Sequence, residues 1–301
     1  MDLERAAKKI ETMEVRGAAK IARVAAEALK DFASDYKGSD VEEFKTQMKR
    51  AGDRLISTRP TAISLKNAIM IVLKELREND NLDELKKNIV ATAENFITKS
   101  EKAIEIIAEI GSKRIKDGDT LLTHCNSSAA ISTIVKAHKD KKSIKVYATE
   151  SRPKKQGYIT VNQLVKEGVP TTLIVDSAVR HVMPKVDLVV VGADTVASNG
   201  AVINKIGTSQ IALCAHEARV PVMVCAETYK FSHETLAGEL VEIEERDVNE
   251  IVRPEDFPGV RIFNPVFDAT PPEFIDVIVT EEGVISPHAA YDIIKALNLD
   301  S

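Results

Sequence analysis

The chain has no tryptophan, 4% aromatic residues and three cysteines among 301 residues. Cys125, Cys214 and Cys225 cannot all pair within one chain, and none forms the C-x-x-C spacing of a zinc ribbon or a thioredoxin-like site. A reducing compartment is the simplest reading. No apolar run approaches the roughly 20 residues that span a bilayer, and the start Met1-Asp2-Leu3-Glu4-Arg5 has no apolar signal core. The expected location is therefore the cytoplasm, with no membrane partner. Neither G-x-G-x-x-G nor G-x-x-x-x-G-K-[ST] occurs, which removes support for a dinucleotide or a P-loop nucleotide. A formal charge of −5 gives no overall attraction to nucleic acid, so basic pairs such as Lys141-Lys142 and Lys154-Lys155 read as solvated surface. Cys214, His216, Cys225 and His233 lack zinc-site spacing, and no metal is expected. Missing tryptophan with abundant Lys and Glu suits a thermophile. There is no internal repeat and no low-complexity tract.

What is present divides in two. At 44% apolar content the chain can fill two cores. Residues 1–115 read as a helical domain, with helix patterns over 3–30, 40–57, 64–77 and 82–115, each carrying apolar residues at three-to-four spacing, such as Ile21, Val24, Ala25 and Leu29. Ser39-Asp40-Val41-Glu42-Glu43 reads as a capped helix start, and Thr58-Arg59-Pro60-Thr61 separates two helices because a residue before proline avoids the helical region. From 116 to 301 the rhythm is strand, loop, helix. Short apolar strands are expected at 120–124, 144–149, 171–175, 188–191, 220–225, 260–263 and 275–280. Alternation of this kind predicts a Rossmann-like, doubly wound α/β domain with a mostly parallel sheet covered on both faces.

Two strand ends carry chemistry. Val189-Val190-Val191-Gly192-Ala193-Asp194 aims a carboxylate out of the sheet, and Leu121-Leu122-Thr123-His124-Cys125-Asn126 places a thiol just past a strand. Ligands of open α/β sheets bind outside the carboxyl ends of strands, so Cys125 and Asp194 can meet in one pocket although far apart in sequence. Taken alone, such a cysteine is more often a small buried hydrophobe and such an aspartate a cap or turn residue. His124 is expected on the opposite face, supporting the pocket from behind at most. Cys214 and Cys225 fall on apolar patterns and read as structural.

Several motifs occur together: Arg16-Gly17-Ala18-Ala19, Ser57-Thr58-Arg59-Pro60-Thr61, Thr123-His124-Cys125-Asn126, Glu150-Ser151-Arg152-Pro153 with Gln156-Gly157, the 192–208 segment, and Asn264-Pro265-Val266-Phe267-Asp268-Ala269-Thr270-Pro271-Pro272-Glu273. In this order they resemble the methylthioribose-1-phosphate isomerase superfamily, which also holds the regulatory alpha, beta and delta subunits of the translation-initiation nucleotide-exchange factor. Within it the chain looks most like the archaeal ribose-1,5-bisphosphate isomerases. The resemblance implies Cys125 as proton acceptor and Asp194 as proton donor. It also implies a substrate clamp of Arg16, Gly17, Ala18, Ala19, Arg59, Asn204, Lys205 and Lys230. Arg152, Asn126 and Ser127 are additional pocket candidates. By position, Arg59 reads as an anion contact at a helix start, and Gly207-Thr208-Ser209 as a helix start with free amides beside Lys205.

An aldose 1-phosphate cannot open freely because its anomeric oxygen is esterified. Its isomerase needs a donor at the ring oxygen and a base at the C2 hydrogen, tasks that suit a shielded carboxyl group and a thiolate. No cofactor is called for. The resemblance further implies AMP degradation, with AMP as a candidate activator, and a homo-oligomer built from dimers, a hexamer being one form. Two alternatives stay open: a methylthioribose-1-phosphate isomerase of methionine salvage, with an apolar pocket end, and a noncatalytic initiation-factor-like regulatory subunit.

Overall fold

The computed structural model describes residues 2–15, 17–77, 81–237 and 241–297. The chain separates into two compact units, residues 1–103 with 297–301, and residues 104–296.

The first unit is helical, with α1 (Leu3–Glu11), α2 (Ala18–Asp35), α3 (Val41–Ile56), α4 (Ile63–Leu73) and most of α5 (Leu82–Ser112). The single helix expected over 3–30 is two helices. Met13 adopts a left-handed φ of 59°, and the Val15 N–H reaches back 3.0 Å to the Lys9 carbonyl, which closes α1 before α2 begins. Asp40 caps α3 by accepting from the Glu43 N–H at 2.7 Å, with Glu42 and Glu43 in the positive first turn. Buried Ala19, Ala22, Ala25, Ala26, Leu29 and Ala33 form the inner face of α2, which packs on α4.

The second unit is a doubly wound sheet. Its elements are β1 (Thr120–Thr123), α6 (Ser128–Lys139), β2 (Lys145–Thr149), α7 (Gly157–Lys166), β3 (Thr171–Ile174), α8 (Val179–Val182), β4 (Leu188–Gly192), β5 (Thr195–Val196), β6 (Val202–Lys205), α9 (Thr208–Ala218), β7 (Val222–Cys225), β8 (Phe267–Thr270), β9 (Val277–Thr280), β10 (Gly283–Ile285) and α10 (Ala290–Leu297). Seven strands run in the order β10-β9-β7-β4-β1-β2-β3, all neighbours parallel except the β10–β9 pair. All five residues of β4 are buried, as expected of an unbroken apolar strand covered on both faces. Leu121, Val146, Leu188, Val190 and Met223 of the sheet pack with Ala130, Ile131 and Ile134 of α6 in one core.

One expected strand is absent and a second sheet is present that the sequence did not announce. Residues 260–263 form no strand: Val260 and Phe263 are more than half exposed, and apolar content alone did not supply a pairing edge. In its place stands a second sheet, β5-β6-β8, antiparallel throughout, built from the segments after Asp194 and after Pro265. Its strands are two to four residues long, too short to show a period. Among the described residues no helix is long and apolar enough to cross a membrane.

Candidate active site

Strand order reverses between β1 and β4: the chain goes from β1 outward to β2 and β3, then returns to β4 on the other flank. Ligands of such sheets bind in the crevice at the carboxyl ends where order reverses, and Cys125 and Asp194 lie just past those two ends. Gly192, the last residue of β4, makes the close approach possible. A β-carbon there would fall 2.2 Å from the Ser127 hydroxyl, which caps α6 by accepting from the Ala130 N–H at 3.4 Å. Ser127 is thus a packing and capping residue of the crevice wall.

Cys125 is held in a left-handed conformation, φ 64°, uncommon for a residue with a side chain. Four hydrogen bonds on and beside it keep it there. Its N–H donates to the Ser151 hydroxyl at 2.8 Å, its carbonyl accepts from the Thr160 hydroxyl at 2.6 Å, and Asn126 donates to Thr160 at 3.0 Å and to Gln163 at 2.9 Å. The amide of Asn126 is therefore committed to α7. Burial pushes the Cys125 thiol up to about 11; Lys205 opposes this and Asp194 adds to it. Both charges are thus felt at the sulfur. Asp194 is half-buried, and its N–H donates to the Ile203 carbonyl at 2.9 Å, tying the β4 end to β6.

The end of β6 carries the polar pair. Asn204 and Lys205 are each 5% exposed. The Asn204 amide donates to Thr208 at 3.0 Å. The Lys205 ammonium lies 4.9 Å from the centroid of the Phe267 ring, and among the described residues no carboxylate comes within ion-pair distance. Burial lowers the lysine's pKa, with Cys125 and Asp194 opposing and Arg246 adding to the fall. The amides beyond it are not free, which corrects the sequence expectation. Asp268, opposite Asn204 in the β6–β8 register, accepts from the Gly207 N–H at 2.7 Å and the Ser209 N–H at 3.1 Å. A carboxylate of the chain itself fills the positive end of α9, and its burial pushes it up to about 6.

The other sequence candidates divide. Lys230 is 5% exposed and pairs with buried Glu227 at 2.6 Å. Arg152 is exposed, its N–H held by Asp176 at 2.8 Å and its guanidinium donating to the Ile251 carbonyl at 3.3 Å. In the first unit, Gly17 caps α2, and Ala18 and Ala19 begin it; the Ala18 carbonyl accepts from the Ser64 hydroxyl at 3.1 Å. Arg16 lies outside the described residues. Arg59 is not at a helix start: it is in the turn between α3 and α4, its carbonyl accepting from the Ala62 N–H at 3.0 Å, and α4 begins only at Ile63.

Set against known proteins, this arrangement has relatives. A model of the initiation factor 2 subunit family matches residues 14–287. The chain belongs to that family. It is 57% identical, over 96% of its length and 91% of the relative's, to a ribose 1,5-bisphosphate isomerase of Archaeoglobus fulgidus. Among solved structures it resembles the translation initiation factor eIF-2B of Pyrococcus horikoshii OT3, with TM-score 0.83 and 29% identity over 95% of this chain and 97% of that one. It also resembles 5-methylthioribose 1-phosphate isomerase of the same organism, with TM-score 0.80 and 32% identity over 99% of this chain and 87% of that one.

Sequence reasoning missed Glu227, Arg246 and Asp268. Arg246 acts on Lys205 and pairs with Glu244 at 3.1 Å, yet it lies in a charge-rich stretch that reads as solvated loop. Asp268 lies in the Asn264–Glu273 motif, and only the register of two very short strands turns it toward α9.

Proposed function

We propose that this family member is an aldose–ketose isomerase that converts ribose 1,5-bisphosphate into ribulose 1,5-bisphosphate. Identity of 57% to an isomerase of that name supports the substrate, against 32–37% to methylthioribose-1-phosphate isomerases. The observation that carries the reading is Lys205, a buried cation with no carboxylate at ion-pair distance among the described residues. An unpaired charge at that depth costs several kcal/mol unless an anion arrives, and a sugar phosphate brings one.

In the active form Cys125 is a thiolate and Asp194 carries the proton. The thiolate takes the C2 hydrogen as a proton, the freed pair forms the C1–C2 double bond, and the bond from C1 to the ring oxygen breaks as Asp194 protonates that oxygen. The intermediate is an enol bearing the 1-phosphate. Cys125 then returns its proton to C1 while the C2 hydroxyl gives its proton to Asp194, leaving a C2 ketone and both groups as they began. The half-buried thiol, pushed up to about 11, is the resting form, and the charge on Lys205 is what favours the thiolate. Asn204, Lys205 and Lys230 are the substrate-binding residues of the second unit, and Arg16, Gly17, Ala18, Ala19 and Arg59 are candidates carried over from the family pattern. Arg152 is an additional pocket candidate. Residues 1–115 are taken as the helical domain and 116–301 as the catalytic one. AMP activation and a dimer-based homo-oligomer, up to a hexamer, belong to the same reading and rest on family resemblance.

Comparing kcat/KM for ribose 1,5-bisphosphate, ribose 1-phosphate and methylthioribose 1-phosphate tests it. A site built to pair with two phosphates should prefer the first by a large factor. Preference for the thioether sugar would move the chain to methionine salvage, and no turnover of any would leave the regulatory-subunit reading.

A further inference from the structure

His124 is 1% exposed and touches three segments at once. Its Nε2 lies 2.9 Å from the Ile206 carbonyl, in the turn that follows Lys205. Its Nδ1 lies 2.5 Å from the Thr149 hydroxyl and 3.3 Å from the Ser151 hydroxyl, at the end of β2. Through its own backbone it leads directly into Cys125, whose N–H is held by the same Ser151. The contact is close enough to select the neighbouring residue: a β-carbon on Gly207 would lie 3.3 Å from the ring, and Gly207 has φ 101°. We propose that His124 is a positioning residue that, as the neutral Nε2–H tautomer, fixes the spacing between the Cys125 elbow and the Lys205 turn.

The tautomer follows from the partners. A carbonyl only accepts, so Nε2 must carry the hydrogen; Nδ1 then offers its lone pair to the Thr149 hydroxyl, which donates. Charged groups face the ring from two sides. Asp176, beyond β3, is 4.0 Å from Nδ1, but its two oxygens already accept from the Ser151 and Arg152 N–H groups at 2.8 Å each. Lys205 opposes a second positive charge from the β6 side. Burial, the largest influence, pushes the imidazole's pKa down, and Thr149, Ser151 and Ile206 supply only neutral contacts.

The consequence for chemistry rests on the isomerase reading. The thiolate needs Lys205 at a fixed distance, and a displacement of about 1 Å in such a site can cost about 10²-fold in rate. No direct bond between Cys125 and Lys205 is needed, because His124 joins the two segments that carry them.

The test uses the full chain and three variants. His124→Gln keeps a donor at the reach of Nε2; His124→Asn is too short for Ile206; His124→Leu removes both polar contacts. Nitrogen-15 NMR of the histidine-labelled parent should show one ring as the neutral Nε2–H tautomer from about pH 5 to pH 8. Iodoacetamide labelling of Cys125 without substrate should shift to higher pH in the Asn and Leu variants and stay near the parent in the Gln variant. Turnover should follow the same order, with kcat down roughly 10- to 100-fold for Asn and Leu and within about fivefold for Gln. An imidazolium or an Nδ1–H tautomer in the parent would overturn the proposal, as would labelling profiles that coincide for all four proteins. If the parent turns over none of the three sugars, the isomerase reading fails, while the NMR and labelling still decide the positioning role.

Discussion

Lys205, the last residue of β6, and Lys230, in the turn after β7, are equally buried at 5% exposed, yet their surroundings are opposite. Lys230 meets Glu227 at 2.6 Å, and Glu227 also accepts from the Tyr229 hydroxyl at 3.2 Å. Lys205 has an aromatic face, a thiol and Asp194 around it but no ion-pair partner among the described residues. A buried pair of charges is close to neutral for stability, whereas one buried charge is a standing cost. The difference separates a cation that carries its counter-charge within the fold from one that has none among the described residues.

The largest effect expected from this contrast is on turnover. Lys205→Met should lower kcat/KM by about 10²-fold or more, the usual loss when one stabilising group leaves a shielded site. The same change should leave stability equal or higher, because it removes an unpaired buried charge. If Lys205→Met unfolded at markedly lower urea than the parent, the lysine would have an unseen partner. Lys230→Met should differ by costing stability as well as substrate binding. It strands Glu227, 1% exposed, as an unpaired carboxylate, which should cost about 3–5 kcal/mol in urea unfolding. Pairing it with Glu227→Gln should recover most of that loss. No recovery in the double variant would mean that the two side chains are not an isolated pair.

The part of the site written in local sequence was legible. Val189 to Asp194 reads as a fully buried strand aimed at a carboxylate, and Leu121 to Cys125 as a strand leading to a thiol, because a parallel strand covered on both faces is apolar throughout. That these ends flank the reversal of strand order follows from topology rules acting on the same strands. Lys205 was legible as a candidate but its lack of a partner was not, since pairing is a property of neighbours in space. The Glu227–Lys230 pair spans three residues and was missed because the segment reads as a turn, where such a pair is ordinarily solvated. The segment 260–263 failed for the converse reason: its apolar side chains are exposed, and nothing local says that no strand lies beside it.

A smaller effect concerns the thiol. Since Lys205 draws the Cys125 thiol down from where desolvation and Asp194 would put it, Lys205→Met should move the pH profile of iodoacetamide labelling to higher pH than the parent's. Lys230→Met should leave that profile where it is. Equal shifts in both would erase the distinction between the two lysines as far as the thiol is concerned. At neutral pH, labelling should be slow in every variant, because a thiol rather than a thiolate is held there.

The smallest effect asks whether Asp268 is a hidden counter-charge for Lys205. Asp268 holds the Gly207 and Ser209 amides just past the lysine, and Lys205 is among the influences that pull its carboxyl down, though burial outweighs them and leaves it near 6 against an ordinary 3.8. A carboxyl group raised on folding stabilises the protein below its unfolded value, and that contribution is lost as pH rises through the folded one. The parent should therefore lose stability relative to Asp268→Asn between about pH 4 and pH 6, by about 2 kcal/mol, and run parallel to it above pH 7. Urea unfolding of both proteins at pH 4, 5, 6 and 7 measures the gap. If Asp268 were instead a true partner of Lys205, its carboxyl would be lowered on folding, and the parent would gain on the variant as pH rose. That outcome would make Lys205 a second satisfied lysine like Lys230 and remove the reason to expect an arriving phosphate.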